Sequence, residues 1–184
     1  MTGSNRRARD VRLVHDEYET PDAVTELLLK YVTFSGPVLE PACGSGRIVR
    51  VLQRAKYAVF GEDIRGETHY DYLADADTWN GDIVTNPPYH NGMAEAFVAH
   101  ALAKSTGKVA MLLQSGFLFG ARRTRELLAP FPPSQVITVP WRILFHVGDS
   151  DQVIKSQAYN HIWVIWDRHS RPMTKAGADL IFPA

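Results

Sequence analysis

The chain has 184 residues, 45% of them hydrophobic and 22% charged, which suits one globular domain with a buried core. Its 20 basic residues balance 20 acidic ones, and a net charge of zero speaks against nonspecific coating of nucleic acid while leaving a local basic face open. The opening MTGSNRRARD has no apolar core of a secretory signal and no stretch approaches the roughly 20 apolar residues of a membrane span. One cysteine excludes an intrachain disulfide, and the seven histidines show no zinc-like spacing with it, so a cytoplasmic, metal-free protein is expected.

Residues 1–16 read as a flexible basic arm carrying Arg6, Arg7, Arg9 and Arg12. A helix start follows: Thr20 as cap, Pro21 at the first helical position and Asp22 at the positive end of the dipole. Val24, Leu27, Leu28, Tyr31 and Val32 share its apolar face, and Ser35-Gly36-Pro37 stops it. Val38-Leu39-Glu40 is a short buried strand that runs into a glycine-rich turn, and a second helix buries Ile48, Val51, Leu52 and Ala55. Residues 57–64 form a strand ending on Glu62 and Asp63; the link from there to Asp71 is too short for a crossover helix, and Asp71-Tyr72-Leu73 is a short strand or turn.

Asp82-Ile83-Val84-Thr85 is a buried strand that delivers the chain to Asn86. Met93, Ala94, Phe97, Val98, Ala101 and Leu102 stripe a third helix, and residues 108–113 make a near-continuous apolar strand, as in a sheet covered on both faces. A basic helix over 122–128 precedes strands at 135–139 and 159–166, the latter alternating through Ile162, Val164 and Trp166. The expected fold is α/β: a Rossmann-like, mostly parallel seven-stranded sheet with an antiparallel hairpin at one edge, over residues 17–168, followed by a polar tail at 169–184. In such sheets ligands sit at the carboxyl ends of strands. The unusual residues fall there: Glu40 to Gly46, Asp63, Asp71, Asn86 to Tyr89, and Gln114-Ser115-Gly116.

Gly44 and Gly46 let the backbone pass close to a ligand. The third glycine of a dinucleotide fingerprint is missing, and no Lys-Ser/Thr follows to make a phosphate-binding loop. Asp63, 17 residues beyond Gly46, is placed to accept both hydroxyls of a ribose, with Glu62 as the alternative acid. Asp71 either accepts from an adenine amino group or merely forms a turn.

Asn86-Pro87-Pro88-Tyr89 carries the reaction chemistry. Its two prolines remove backbone donors and force extended geometry, so carbonyls point out of the sheet. The amino group of a nucleobase is a poor nucleophile because its lone pair is delocalised. The Asn86 side-chain oxygen and the Pro87 carbonyl offer acceptors for its two hydrogens, which pulls the nitrogen toward tetrahedral and aims the lone pair at an activated methyl group. Tyr89 offers a surface on which a flipped base stacks.

These residues resemble the N6-adenine-type amino-methyltransferases with their motifs in gamma-like order, most of all the small phage-type DNA adenine methyltransferases. Tyr18-Glu19-Thr20-Pro21 is similar to their first motif, and Leu39-Glu40-Pro41-Ala42-Cys43-Gly44-Ser45-Gly46 to their cofactor loop. Gly61-Glu62-Asp63-Ile64 is similar to the ribose-binding segment, Asp71-Tyr72-Leu73 to the adenine-binding one, and Asn86-Pro87-Pro88-Tyr89 to the catalytic motif. The resemblance covers roughly residues 17–120. It implies S-adenosyl-L-methionine as cofactor, bound by Tyr18, Thr20, Pro21, Glu40 to Gly44, Gly46, Asp63, Ile64, Asp71, Tyr72 and Asn86. It also implies a nucleic-acid partner, DNA before RNA; methylation of a protein glutamine shares the same motif.

The family's sequence-specific members carry a target-recognition region with no counterpart here, which points to a homodimer or a separate recognition subunit. Substrate contacts are therefore sought at His90, Arg122, Arg123, Arg125 and Arg142, with the N-terminal arginines, residues 91–92, Lys155 and the 141–159 loop as further candidates.

Overall fold

Runs of apolar residues with a period of two build the centre of the sheet, each strand feeding two cores at once. In the computed structural model, which describes residues 18–67, 69–147, 153–154, 159–167 and 178–183, the strands are β1 (Tyr18–Glu19), β2 (Val38–Glu40), β3 (Val59–Gly61), β4 (Asp82–Thr85), β5 (Val109–Gln114), β6 (Gln135–Thr138), β7 (Phe145–Val147), β8 (Val153–Ile154), β9 (His161–Trp166) and β10 (Asp179–Ile181). The helices are α1 (Asp22–Tyr31), α2 (Arg47–Arg54), α3 (Met93–Lys104) and the short α4 (Ala121–Arg123), which continues as a π-turn over Thr124–Leu128. The basic arm at 1–16, Lys155 and residues 169–177 of the tail lie outside the described residues.

Val38, Val84, Ala110, Leu112, Trp163 and Ile165 face the core under α1 and α2. Their neighbours Leu39, Ile83, Val109, Met111, Leu113, Val164 and Trp166 face the core under α3. The result is a three-layer sandwich whose central strands carry apolar residues on both faces because both faces are covered. The alternation at Ile162, Val164 and Trp166 marks only one face of β9; Trp163 and Ile165 are equally buried on the other. Both indoles find an acceptor, Trp163 at the Val24 carbonyl (2.8 Å) and Trp166 at the Phe131 carbonyl (2.9 Å).

The seven-stranded sheet has the order β10-β6-β9-β5-β4-β2-β3. It is parallel except for β9, which runs antiparallel to both β5 and β6. The fold class matches the expectation, and the last two expected strands, β6 and β9, do pair antiparallel, but not as an edge hairpin: β9 lies inside the sheet, between β6 and β5. The edge is occupied instead by β10, which pairs parallel with β6 through Leu180 and Val136. The stretch after residue 168 is thus more than a polar tail, since three of its residues complete the sheet. A second, three-stranded sheet, β1-β7-β8, was not expected; in it Glu19 pairs with His146.

Helix α1 starts one residue later than its sequence suggests. Pro21 takes the N-cap position, no side chain caps the helix, and Thr20 is buried instead. At the opposite end of the sheet from the strand carboxyl termini, Asp82 ties three segments together. One carboxylate oxygen accepts from the Ser35 and Gly36 N–H groups (2.9 and 3.0 Å) and the other from the Lys108 N–H (2.6 Å). Asp82→Ala would leave these donors unpaired, and urea titration should show a loss of about 2–4 kcal/mol; a loss below about 0.5 kcal/mol would contradict the clamp.

Candidate active site

Every parallel strand from β2 to β5 ends at the same edge, and the residues just past the ends of β2, β3 and β4 surround one cleft of about 340 Å³, whereas Gln114-Ser115-Gly116 after β5 do not line it. Thr20, Glu40, Pro41, Ala42, Cys43, Gly44, Asp63, Ile64, Asp71 and Tyr72 line it, and so do Asn86, Pro87, Pro88, Tyr89 and His90. Of the other candidates, Tyr18 contributes backbone to β1, Pro21 caps α1, and Gly46 caps α2 in the left-handed region at φ 83°.

The glycine-rich loop is held from two sides. The Gly44 N–H donates to Asp63 Oδ2 (3.0 Å), and the Ser45 N–H donates to Glu19 Oε1 (2.6 Å). Asp63 Oδ1 meanwhile accepts from the Arg65 N–H (2.9 Å). Asp63 is therefore a lock between two loops as well as a carboxylate on the cleft, and it is only 7% exposed. Gly44 has φ +52°, and a Cβ there would stand 2.4 Å from Glu19 Oε1. Gly44→Ala should cost roughly 1 kcal/mol of backbone strain and displace Glu19. Calorimetry should then show cofactor affinity falling about 10-fold, a 1.4 kcal/mol effect; unchanged affinity would refute this account of the loop.

Glu40 ends β2 and is 1% exposed. The Thr85 hydroxyl donates to its Oε1 (2.9 Å), whereas Oε2 is buried with no hydrogen-bond partner. Burial pushes the Glu40 carboxyl well above the usual carboxylate range; the Thr85 bond pulls the other way, and the charges of Glu19 and Asp63 add to the push. The same burial, with Glu40 and Asp63 nearby, raises the Cys43 thiol to about 11, so it is protonated and inert at neutral pH.

Asp71 heads a turn. Its Oδ1 accepts the Leu73 N–H (3.1 Å), and its carbonyl accepts the N–H groups of Ala74 and Asp75 (both 3.1 Å). The segment is a turn rather than a strand, and no helix is found among the described residues of the link from Asp63. Asn86 follows β4 directly. The Tyr89 hydroxyl lies 2.6 Å from Asn86 Oδ1 and 2.9 Å from the Leu112 carbonyl, one proton serving two acceptors. The Tyr89 ring also meets the ring of His161 edge-on at 6.0 Å, and burial lowers that histidine to about 4, leaving it neutral.

Glu19, Tyr70, Met93 and Phe97 also line the cleft. Glu19 sits inside the first motif, but nothing in the sequence marks it as the acceptor for the glycine loop. The candidate arginines differ. Arg123 is turned inward: it pairs with Glu95, donates to the Phe117 and Phe119 carbonyls (both 2.8 Å) and lies over the Phe117 ring. Arg122 and Arg125 are exposed but paired with Glu95 and Glu126, and Arg142 is exposed.

No protein-family model matches the chain, and no curated protein matches it by sequence. Solved structures do match. A protein of Listeria monocytogenes described as a class I S-adenosylmethionine-dependent methyltransferase superposes with a TM-score of 0.63 at 15% identity, over 91% of this chain and 66% of its own. A modification subunit assigned to a type I restriction enzyme of Vibrio vulnificus gives 0.55 at 18%, over 83% of this chain and 44% of its own. Magnesium protoporphyrin IX methyltransferase of Synechocystis, with bound S-adenosylmethionine, gives 0.53 at 14%, over 91% of this chain and 86% of its own. The chain thus spans less than two thirds of the first two. The fold is that of the class I S-adenosylmethionine-dependent methyltransferases.

Proposed function

We propose that the chain is an S-adenosyl-L-methionine-dependent methyltransferase that methylates the exocyclic N6 amino group of adenine in DNA, with the base flipped into the Asn86–Tyr89 site. The observation that carries this reading is the convergence of Asn86-Pro87-Pro88 on the same cleft as the glycine loop, Asp63 and Asp71. The cleft fits the cofactor's chemistry. Four acids, Glu19, Glu40, Asp63 and Asp71, line it, and the orphaned Glu40 Oε2 is a buried acceptor suited to a cationic ligand. Bound there, the cofactor would supply an electrophilic methyl group on a sulfonium.

The chain's own contribution is positioning. Gly44 would let the backbone approach the ligand, and Asp63 and Asp71 would accept from ribose and adenine. Asn86 Oδ1 and the Pro87 carbonyl would accept the hydrogens of the substrate amine, aiming its lone pair. When Asn86 Oδ1 takes a substrate hydrogen, the Tyr89 proton still has the Leu112 carbonyl as acceptor, so no buried hydroxyl is stranded. The Tyr89 ring remains a wall on which a base stacks.

DNA is favoured over RNA or protein by the first motif at Thr20-Pro21 and by the likeness to a modification subunit. Exposed Arg142, Arg122 and Arg125 would meet phosphates, joined by the exposed rings of Phe119 and Trp141. Arg123, committed to Glu95 and to carbonyls, would hold the loop in shape. Choice of target site is assigned to a second copy or to a separate recognition subunit. Among the described residues no helix is long and apolar enough to cross a membrane, and a cytoplasmic location is part of the same proposal. Purified protein with labelled cofactor should label single- or double-stranded DNA and yield N6-methyladenine on nucleoside analysis. Label confined to RNA or protein would overturn the substrate, and no cofactor binding would overturn the class.

A further inference from the structure

Lys104 ends α3 with its side chain 4% exposed. A buried ammonium is costly and is retained where partners satisfy it. Here its Nζ pairs with the Asp75 carboxylate and donates to the Tyr70 hydroxyl (3.1 Å), which in turn donates to Asp75. The ammonium also lies 5.7 Å from the centres of both the Tyr70 and the Tyr72 rings. Tyr72 is wedged against Phe97 (5.0 Å) and His100 (4.6 Å) of the same helix. The far end of the linking segment is fastened at the same place: the Trp79 N–H donates to the Lys104 carbonyl (3.0 Å), and the Ser105 hydroxyl donates to the Gly81 carbonyl (2.7 Å).

The stretch thus fastened, residues 70–81, begins with Tyr70, Asp71, Tyr72 and Leu73, all of which line the cleft. In a parallel sheet a crossover helix ordinarily holds such a stretch against its neighbours. Among the described residues between β3 and β4 there is none, so the polar cluster does that work. We propose that Lys104, acting through Asp75 and Tyr70, is a positioning residue that sets one wall of the cofactor cleft and with it the affinity for the adenosine half of S-adenosyl-L-methionine. This rests on the cofactor reading above. It adds a determinant outside the recognised motifs and out of contact with the reacting atoms. Asp75, held at about 2 by the lysine and the Tyr70 hydroxyl, keeps its charge throughout the physiological range.

The test uses the full chain and two readouts. In the first, Lys104→Met should raise the KM for S-adenosyl-L-methionine about 10-fold while kcat stays within about two-fold. Asp75→Asn should act in the same direction, and Tyr70→Phe more weakly. In the second, amide hydrogen exchange without any ligand should speed up at residues 70–75 in Lys104→Met and Asp75→Asn, with β4 and β5 unchanged. If Lys104→Met does not fold, Asp75→Asn carries both expectations. Wild-type KM together with wild-type exchange would overturn the proposal, as would a loss of kcat at unchanged KM. Failure of the wild-type protein to bind S-adenosyl-L-methionine would remove the cofactor reading, and the exchange measurement would still decide whether the cluster holds this wall.

Discussion

Asn86→Ala is expected to lower kcat about 100- to 1,000-fold, the usual effect of removing one preorganised polar group from a transition state, while the dissociation constant of S-adenosyl-L-methionine changes less than about three-fold. The split follows from position. The Asn86 side-chain oxygen is the acceptor nearest the Tyr89 hydroxyl, whereas the cofactor's grip is assigned to the loops after β2 and β3. Removing the amide also leaves the Tyr89 proton with one acceptor, the Leu112 carbonyl, so the fold should tolerate the change and the melting temperature should move by less than about 2 °C. Single-turnover kinetics with labelled cofactor would check the prediction. Retention of full activity would refute the proposed chemistry, and parallel loss of cofactor binding would move Asn86 from the reaction to the cofactor site.

Glu40→Gln is expected to stabilise the ligand-free protein and weaken cofactor binding at once. The folded state holds the Glu40 proton more tightly than the unfolded chain does, because burial raises its pKa well above 4.5. Between 4.5 and the raised value the unfolded state has released this proton and the folded state has not. Stability therefore falls as pH rises through that window, and at alkaline pH the buried charge remains as a standing cost. Glutamine preserves an acceptor for the Thr85 hydroxyl and carries no charge. At pH 8 the ligand-free variant should melt about 4 °C higher, roughly what 1–2 kcal/mol produces in a chain of this size. The cationic cofactor should bind about 10- to 100-fold more weakly. In the wild type its affinity should fall as pH drops through the Glu40 pKa, and in the variant that pH dependence should vanish. A variant that melts lower at pH 8 and binds the cofactor normally would show that Glu40 is a structural group.

The cleft was largely legible in the sequence because its residues are punctuation. Gly44, Pro87 and Pro88 interrupt strand–helix periodicity just past the ends of β2 and β4, on the lining of the cleft. Asp63 was legible by spacing, but its second duty, accepting the Gly44 N–H, was not, since that bond joins residues 19 apart in sequence. The position of β9 was hidden for a stronger reason. Its apolar run says that it is buried, while its neighbours are chosen by long-range pairing with β5 and β6. The strand β10 was missed because three residues, Asp179–Ile181, two of them exposed, carry no clear period. Lys104 is not singled out by the sequence, because nothing local marks it; its burial comes from Tyr70 and Asp75, about thirty positions earlier. The arginines at 122–125 read as one basic face, and the structure separates an inward Arg123 from its exposed neighbours.

The insertion of β9 between β5 and β6 has a consequence for the order in which the molecule assembles. Strands β2, β3, β4 and β5 pair among themselves using residues 38–114, so the half of the sheet behind the glycine loop is complete once that stretch of chain exists. The other half is not. Until residues 161–166 arrive, β5 has an open edge and β6 has no neighbour linking it to the rest. During synthesis, which proceeds from the N-terminus, the nascent protein therefore passes through a stage in which the wall assigned to the cofactor stands beside an unprotected strand, apolar from Val109 to Leu113. That stage is the chain's point of greatest exposure to aggregation and to chaperones.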